Sequence, residues 1–303
     1  MKIIFSRKGF DAENGGTASP VMPDGAMVSM PIPQEDEMLY DFVSYNGRTY
    51  LDIWMDLKPN QEDFYTNCHL DPDIRRDGKI FEIEGWKPIF GQAGAAQTHL
   101  ENQGVEVGDI FMFFGWFRKT EEKNGMLKYA KGSKDAHMMF GYLQIGEIVN
   151  GEGVLDYPWH PHAYYYDPEY DNNNTMYIAS EHLVIDGVDT GLPGAGTFKY
   201  SDELVLTMPG QTKSRWLLPE FFKKVNISCH SADSFKPEGY FQTVRIGQEF
   251  VVSESKEVTE WAKNIIVNNI DLREQDPYPE EMLNRIMEAA SDIDFDDEDT
   301  TDE

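Results

Sequence analysis

The chain has 303 residues, of which 18 are Phe, 15 Tyr and 6 Trp, so it can bury a large core and is not of disordered composition. Its 54 acidic and 26 basic side chains give a net charge of −28, which argues against a broad basic surface for duplex nucleic acid. Two cysteines are too few for a disulfide framework, and the sequence has neither a signal peptide pattern nor an apolar run of about 18 residues. We therefore expect a cytoplasmic protein with no membrane partner.

The first third of the chain alternates short extended segments with turns. Residues 2–6 form an apolar run that predicts a buried strand, and a loop rich in Gly and Pro follows it. An extended pattern resumes at residues 26–30. Residues 36–45 have apolar spacing that predicts a helix, whereas residues 50–57 fit a strand or a helix equally well.

The middle of the chain contains the clearest strand pair. A helix is predicted over residues 95–103, where Gly104 closes it. Residues 109–117 are apolar on both faces, as in a central strand, and a hairpin connection follows with a possible strand at 126–129. Residues 137–149 predict a second long strand, in which the two glycines are expected to mark bends or bulges.

The last third is predicted to contain short strands, loops and two helices. Its elements are a strand at 175–179, a loop at 191–196, a strand at 204–206, a turn into a short helix at 214–222, a strand at 241–252 interrupted at Gly247, and helices at 258–267 and 279–290. The whole predicts an α+β fold, with a mixed or barrel-like β-sheet core and peripheral helices. We predict one domain over residues 1–290 and a disordered acidic tail over 291–303, which can serve as a protein-binding segment.

Two cations follow the first strand and precede a Gly-rich loop. Arg7 offers a planar fork and Lys8 a point charge, and both suit a phosphate or a carboxylate. Asp11 is placed to orient them. A surface salt-bridge pair is an equally good interpretation.

The segment HLDPD carries two candidates for acid–base chemistry. His69 and Asp71 alternate in an extended stretch, so both side chains can face one cleft and act as acid and base or hold a metal. The same Asp-Pro-Asp, which ends at Asp73, is also a good turn sequence.

The small-residue stretch from Gly91 to His99 allows a ligand or another backbone to come close. Gln92 and Gln97 can pair with a base edge, and a helix beginning here would favour an anion. Tight packing of a helix on a sheet explains the same small residues.

His160 and His162 stand at i and i+2 and can share a metal, with His137 or His69 as a third ligand. The spacing matches no zinc motif such as His-Glu-x-x-His, and such a pair is more often at the surface or hydrogen-bonded.

Eleven sequence segments together resemble one known family. They are, in order, SRKGFD, SPVMPDG, SMPIP, HLDPD, GQAGAAQTHLENQGVEVGDIFMFFGWFR, FGYLQIGE, HPH, NNTMYIA, GLPGAGTF, RWLLPEFF and GQEFVV. In these segments the chain is similar to the nucleotide-modification-associated domain family, type three, from Met1 to about Val267. The central strand pair is also similar, by fold-level analogy, to small β-barrel modules that read modified bases.

The resemblance implies an α+β domain of bacteria and phages that accompanies the modification of nucleic-acid bases, in settings that include phage defence. A nucleotide or modified nucleic acid is the implied partner; neither a reaction nor a cofactor is specified. The protein is either an enzyme on a nucleotide or modified base, or a non-catalytic binder of modified nucleic acid or of a nucleotide signal. The residues predicted to be catalytic are His69, Asp71 and Asp11, those predicted to bind a ligand are Arg7, Lys8, Ser19, Asp73, Gln92, Gln97 and His99, and those predicted to bind a metal are His160 and His162.

Overall fold

Most of the chain alternates between strands and short connections. The structure, a computed structural model, describes residues 1–36, 38–75, 78–79, 83–164, 166–169, 173–244 and 249–273. The strands are β1 (Ile3–Arg7), β2 (Ser19–Val21), β3 (Ile32–Pro33), β4 (Ser44–Tyr45), β5 (Arg48–Thr49), β6 (Cys68–His69), β7 (Ile89–Gln92), β8 (Ile110–Lys123), β9 (Met126–Tyr129), β10 (Ala136–Asn150), β11 (Thr175–Ala179), β12 (His182–Ile185), β13 (Val188–Pro193), β14 (Ala195–Thr197), β15 (Arg215–Trp216), β16 (Phe241–Gln242) and β17 (Glu249–Val252). The α-helices are α1 (Tyr50–Leu57), α2 (Gly94–Asn102), α3 (Pro161–Tyr164) and α4 (Lys256–Asn269).

Nine of these strands form one mixed sheet. Its central path runs in the order β17-β1-β8-β10-β11-β7, and β14 pairs with β10 while β2 and β9 pair with β8. Strand β1 is parallel to β8 and antiparallel to β17, whereas β8 and β10 are antiparallel. The predicted α+β class with a mixed sheet is confirmed. Among the described strands the sheet stays open between β17 and β7 and does not close into a barrel.

The two central strands are the predicted pair, and both are longer than predicted. The first half of β8 is almost wholly buried because layers of the core cover both of its faces. The register of β10 shifts between Met139 and Gly141 against β8, and between Ile145 and Glu147 against β11. A side chain at Gly141 would come within 2.7 Å of the carbonyl oxygen of Gly196. The predicted bends at the glycines of this strand are therefore confirmed.

Three helices follow from local signals. Segment 50–57, which fitted a strand or a helix equally well, is helix α1. The Thr49 hydroxyl and the Asp52 carboxylate form a reciprocal capping box at its start. Helix α2 ends next to Gly104, whose φ of 63° suits a C-terminal cap. Helix α4 buries one apolar face against the sheet. None of the described helices has the length and apolar character needed to cross a membrane.

The predicted helix at 36–45 is wrong. Among the described residues of this segment only Tyr40–Phe42 is helical, as a 3₁₀ turn, and β4 and β5 form a hairpin around Asn46 and Gly47. Both residues have positive φ, as the two-residue hairpin turn requires. The ring of Tyr40 packs against Phe10 and Trp54 in a second core cluster, and this packing holds the short turn in place.

Four further expectations in the last third need correction. The predicted loop at 191–196 contains the end of β13 and the start of β14, and the predicted strand at 204–206 begins as a 3₁₀ turn, Asp202–Leu204. Segment 214–222 opens with β15 before its short helix, and 241–252 is two strands, β16 and β17, in different sheets. Gly247, the predicted helix at 279–290 and the acidic tail lie outside the described residues, so the tail as a protein-binding segment stays a prediction.

Candidate functional site

The carboxyl end of β1 opens into a cleft of about 1170 Å³. Its wall comprises residues 7–14 after β1, residues 91–93 at the end of β7, and residues 212–214 and 242–244 from the last third of the chain. A cleft of this size accepts a nucleotide-sized ligand, since ligand pockets commonly measure roughly 300–1,000 Å³. Four chain segments that are distant in sequence thus meet around one cavity.

The loop after β1 is held in shape by Asp11. Its Oδ1 accepts hydrogen bonds from the backbone nitrogens of Glu13 at 2.8 Å and Asn14 at 2.7 Å, and its backbone oxygen accepts one from Gly16. Asp11 lines the cleft and its carboxylate accepts hydrogen bonds from its own loop, so the orientation of Arg7 and Lys8 by Asp11 stays a prediction. A catalytic role for Asp11 stays a prediction that this geometry does not favour.

Two histidines and a carboxylate converge on one wall of the cleft. One ring nitrogen each of His69 and His162 and one carboxylate oxygen of Asp71 all lie within 4.8 Å of one another. We call these three residues the His–Asp–His cluster. They are brought together by β6, by the turn after it and by α3, and all three line the cleft. Such a set can hold a metal ion or move protons.

Each histidine of the cluster is oriented through its Nδ1 atom. His69 Nδ1 lies 2.7 Å from Asp36 Oδ2, and His162 Nδ1 lies 2.5 Å from Asn174 Oδ1. The Asn174 amide also donates to the backbone oxygen of His162 at 2.6 Å, which fixes the direction of the amide. Because a carboxylate or carbonyl oxygen accepts, both Nδ1 atoms carry the proton and both Nε2 atoms are left with a lone pair in the neutral rings. Burial lowers the pKa of His162 to about 4, although Asp71 opposes this, so the ring is neutral at pH 7.

Gly91 makes room for the cluster. A side chain at this position would place its Cβ within 2.2–2.6 Å of three atoms of the His162 ring. The backbone nitrogen of Gly91 also donates to Asp71 Oδ1 at 2.7 Å. The small residue that begins the predicted ligand-binding stretch therefore has a specific packing role beside the site.

His160 lies next to Asp71 but outside the His–Asp–His cluster. Its Nδ1 accepts a hydrogen bond from the backbone nitrogen of His162, so its proton is on Nε2, which lies 3.5 Å from Asp71 Oδ1. This distance is that of an ion pair, and within the described part of the chain the buried Nε2 has no hydrogen-bond partner. The predicted pair His160 and His162 is thus divided, because only His162 belongs to the cluster.

Lys8 is an internal counter-ion. Its ammonium lies 3.7 Å from Asp71 Oδ2 and 3.6 Å from Glu249 Oε1, and 4.3 Å from the centre of the Phe90 ring. Gln92 Nε2 donates to the same Glu249 oxygen at 2.8 Å. Burial raises the pKa of Asp71, but the Lys8 charge, with His160 and His162, outweighs burial and holds that pKa well below its ordinary value. Asp71 is therefore an ionised acceptor at neutral pH.

A second group of polar residues lines the cleft around Lys213. Its ammonium lies 3.3 Å from the centre of the Trp116 ring, and burial lowers the pKa of Lys213 although Asp135 and Asp11 oppose this. His137 Nδ1 accepts from the indole nitrogen of Trp216 at 3.0 Å, which puts the proton of His137 on Nε2. Burial, with the charges of Lys213 and then Arg7, lowers the pKa of His137 to about 3. We call Arg7, Lys213, Trp116 and His137 the cationic end of the cleft; all four line it.

A comparison with protein-family models identifies the family of the chain that forms this cleft. The model described as nucleotide modification associated domain 3 matches residues 2–253. The chain is a member of this family. No curated protein and no solved structure matches it. The resemblance found in the sequence is confirmed, and the match spans every residue of the cleft described above.

Of the residues that sequence reasoning assigned to this nucleotide modification associated domain, the cleft gathers Arg7, Lys8, Asp11, His69, Asp71, Gln92 and His162. Five others, among them His160, are absent from its described lining. Ser19 Oγ accepts from the backbone nitrogen of Met30, and Asp73 accepts from Lys79 at 2.6 Å. Ligand binding by these two stays a prediction, and their observed contacts are structural.

Gln97 and His99 lie on α2 but are likewise outside the described lining of the cleft. Gln97 accepts from the hydroxyl of Tyr177 at 2.9 Å, and this bond ties the helix to β11. His99 Nε2 lies 3.0 Å from Ser228 Oγ, near β17. Both contacts fit the alternative interpretation of this stretch, tight packing of a helix on the sheet.

Sequence reasoning missed four residues that shape the site: Asp36, Asn174, Lys213 and Glu249. Asp36 fell inside a wrongly predicted helix. Asn174 stood in a segment that was noted only as a family motif, beside β11. Lys213 and Glu249 come from regions far along the chain, and only the pairing of β17 with β1 brings Glu249 next to Lys8.

Proposed function

We propose that this member of the nucleotide modification associated domain family is an enzyme that acts on a nucleotide or on a modified base, in a bacterial or phage setting of DNA modification. The observation that carries the proposal is that one cleft joins the cationic end to the His–Asp–His cluster. Membership of a family named for its association with nucleotide modification supports a ligand of this class.

The cationic end is suited to a phosphate group. Arg7 and Lys213 supply positive charge, and His137 supplies a neutral N–H at Nε2. The indole nitrogen of Trp116 is buried and has no hydrogen-bond partner among the residues that the structure describes, so an acceptor on a bound ligand would satisfy it. Lys8 was also predicted to bind a phosphate. It is less suited to this role, because its charge is already balanced by Asp71 and Glu249.

The cluster is suited to the reacting part of the ligand. Asp71 is buried and His162 is half-buried, and both are oriented by neighbours and of fixed charge at neutral pH. His69 presents Nε2 with its opposite nitrogen held by Asp36. Preorganised groups of this kind lower the cost of charge development in a reaction, because they need no reorientation.

A panel of nucleoside monophosphates, triphosphates and nucleosides, and of DNA with and without modified bases, tests the proposal. Binding is measured by calorimetry, and turnover by mass spectrometry of the same mixtures. Lys213→Gln is expected to weaken binding of phosphate-bearing ligands by about 10-fold or more, since a charge-assisted hydrogen bond contributes roughly 1.5–3 kcal/mol. The same substitution should leave nucleoside binding nearly unchanged.

Lys223→Gln is the matched control. Lys223 is an exposed lysine that pairs with Glu220 on the surface and should affect neither ligand. Absence of binding across the panel, or equal binding by the Lys213→Gln protein and wild type, would refute the proposal. Binding without any change of mass would favour the second candidate, a non-catalytic binder, which the cationic end alone can support.

A further inference from the structure

The three side chains of the His–Asp–His cluster point at one another without a direct bond. Their ligand atoms lie within 4.8 Å of each other, and none of the hydrogen bonds found in the described residues joins the three side chains to one another. No hydrogen bond within the set of three accounts for this convergence. An ion between them would give all three a common partner.

The surroundings of the two histidines are those of metal-bound histidines. Ligating histidines usually donate their second N–H to a carboxylate or a carbonyl oxygen, which fixes the ring and its tautomer. Asp36 does this for His69 and Asn174 does it for His162. Asp36 is itself buried, and its Oδ1 has no hydrogen-bond partner in the part of the chain that the structure describes.

We infer that His69, Asp71 and His162 bind one divalent first-row transition-metal ion through Nε2 of each histidine and a carboxylate oxygen of Asp71. Two imidazoles with one carboxylate suit zinc, iron, manganese or cobalt, whereas magnesium and calcium prefer an all-oxygen set. Three protein ligands leave further coordination positions, and the cluster faces the cleft. The inference rests on the proposed function only for the ligand that would occupy those positions.

Charge and space both permit the ion. The carboxylates of Asp71, Asp36 and Glu249 and the ammonium of Lys8 together carry a formal charge of −2, which a divalent cation would neutralise. Metal–ligand distances of about 2.0–2.2 Å put neighbouring ligand atoms about 3–3.5 Å apart, so side chains that are now within 4.8 Å need to move inward by about 1 Å. The positive charge of Lys8 lies close to Asp71, but Lys8 also pairs with Glu249, which balances that charge.

Metal uptake is tested on the full chain after treatment with a chelator and without any nucleotide. Zn²⁺, Mn²⁺ and Co²⁺ are each titrated by calorimetry, and Co²⁺ also by its visible absorption. We expect one equivalent to bind and to raise the melting temperature. His69→Ala and His162→Ala should each weaken binding by about 100-fold or more and abolish the thermal shift. Asp36→Asn should weaken it by about 10- to 100-fold, as outer-shell changes do.

His182→Ala is the matched control. His182 also pairs with a carboxylate, that of Asp189, but on the exposed surface, and its loss should leave ion binding unchanged. If either ligand variant fails to fold, Asp36→Asn and Asn174→Ala still test the site. Equal uptake by wild type and by all folded variants of the cluster, or no uptake by wild type, would overturn the inference.

The two proposals fail separately. Nucleotide binding by the chelated protein, together with no uptake of any of the three ions, would contradict the metal site and leave the proposed function standing. One equivalent of ion with no nucleotide binding would contradict the proposed function and leave the metal site standing.

Discussion

Gly91→Ala tests whether the backbone of β7 determines the position of the cluster. The added methyl would lie 2.2 Å from Cδ2, 2.4 Å from Cγ and 2.6 Å from Nε2 of His162. The ring has little freedom to retreat, because its Nδ1 is bonded to Asn174 and the amide of Asn174 is bonded to its backbone. Either β7 moves or the hydrogen bond to Asn174 breaks.

The expected cost combines two effects. Overpacking of a well-packed site costs about 1–3 kcal/mol, and loss of one hydrogen bond adds about 0.5–1.5 kcal/mol. A total of about 2–4 kcal/mol would lower the melting temperature by roughly 5–15 °C, given about 2–4 °C per kcal/mol for a domain of this size. The measurement is thermal unfolding followed by circular dichroism.

Gly196→Ala is the control for the substitution itself. Gly196 also lies in a strand, β14, but its added methyl would meet Ile270 at 3.5 Å, an ordinary contact. We expect its melting temperature to stay within about 2 °C of wild type, as for substitutions away from special sites. If Gly91→Ala and Gly196→Ala melt at the same temperature, the close approach of His162 to β7 does not constrain the site.

Two further predictions concern His137, which lines the cleft, and Glu249, which pairs with Lys8 beside it. His137 has a folded pKa of about 3 against an ordinary value of 6.5, so its contribution to stability is complete above pH 6.5 and is lost as the pH falls toward 3. His137→Asn, which keeps an acceptor for Trp216, should therefore gain about 1 kcal/mol on wild type between pH 7 and pH 5.5 in urea unfolding; a difference independent of pH would contradict this. Glu249→Gln removes one of two carboxylates beside Lys8, so we expect a loss of about 2 kcal/mol in the same assay at pH 7, and an unchanged midpoint would show that the pair is not important for stability.

Elements with complete local signals could be predicted from the sequence. Helix α2 has a run of small and helix-forming residues that ends at Gly104, and β8 has an apolar run too long for an edge strand. Local periodicity was sufficient because burial on these elements follows the period of the backbone.

Elements that depend on tertiary contacts could not be predicted in this way. Residues 36–45 have helical spacing of apolar side chains, yet Tyr40 donates to the backbone oxygen of Pro31 and packs in the second core cluster. The Asn46-Gly47 pair was a hairpin signal in the sequence, and it outweighed the helical pattern. Late in the chain, β16 and β17 form one apolar pattern but pair with different partners, β15 and β1.

The same distinction applies to the site. That His69 and Asp71 can face one cleft follows from their alternation in an extended segment. Their neighbours do not follow, because Asp36 is 33 residues from His69 and Asn174 is 12 residues from His162. No spacing rule links such positions, and only the fold brings them within hydrogen-bond distance.

The adjacent cations Arg7 and Lys8 show why charge must be counted at the cleft and not over the chain. The net charge of −28 would repel a phosphate at long range, but salt screens such charges beyond about 10 Å. Lys8 is balanced by Asp71 and Glu249, whereas Arg7 lies at the cationic end with Lys213, where burial and then these two charges lower the pKa of His137. We therefore expect two consecutive residues at the end of one strand to have different roles: Lys8 stabilises the carboxylate of the cluster, and Arg7 is proposed to add positive potential for the ligand.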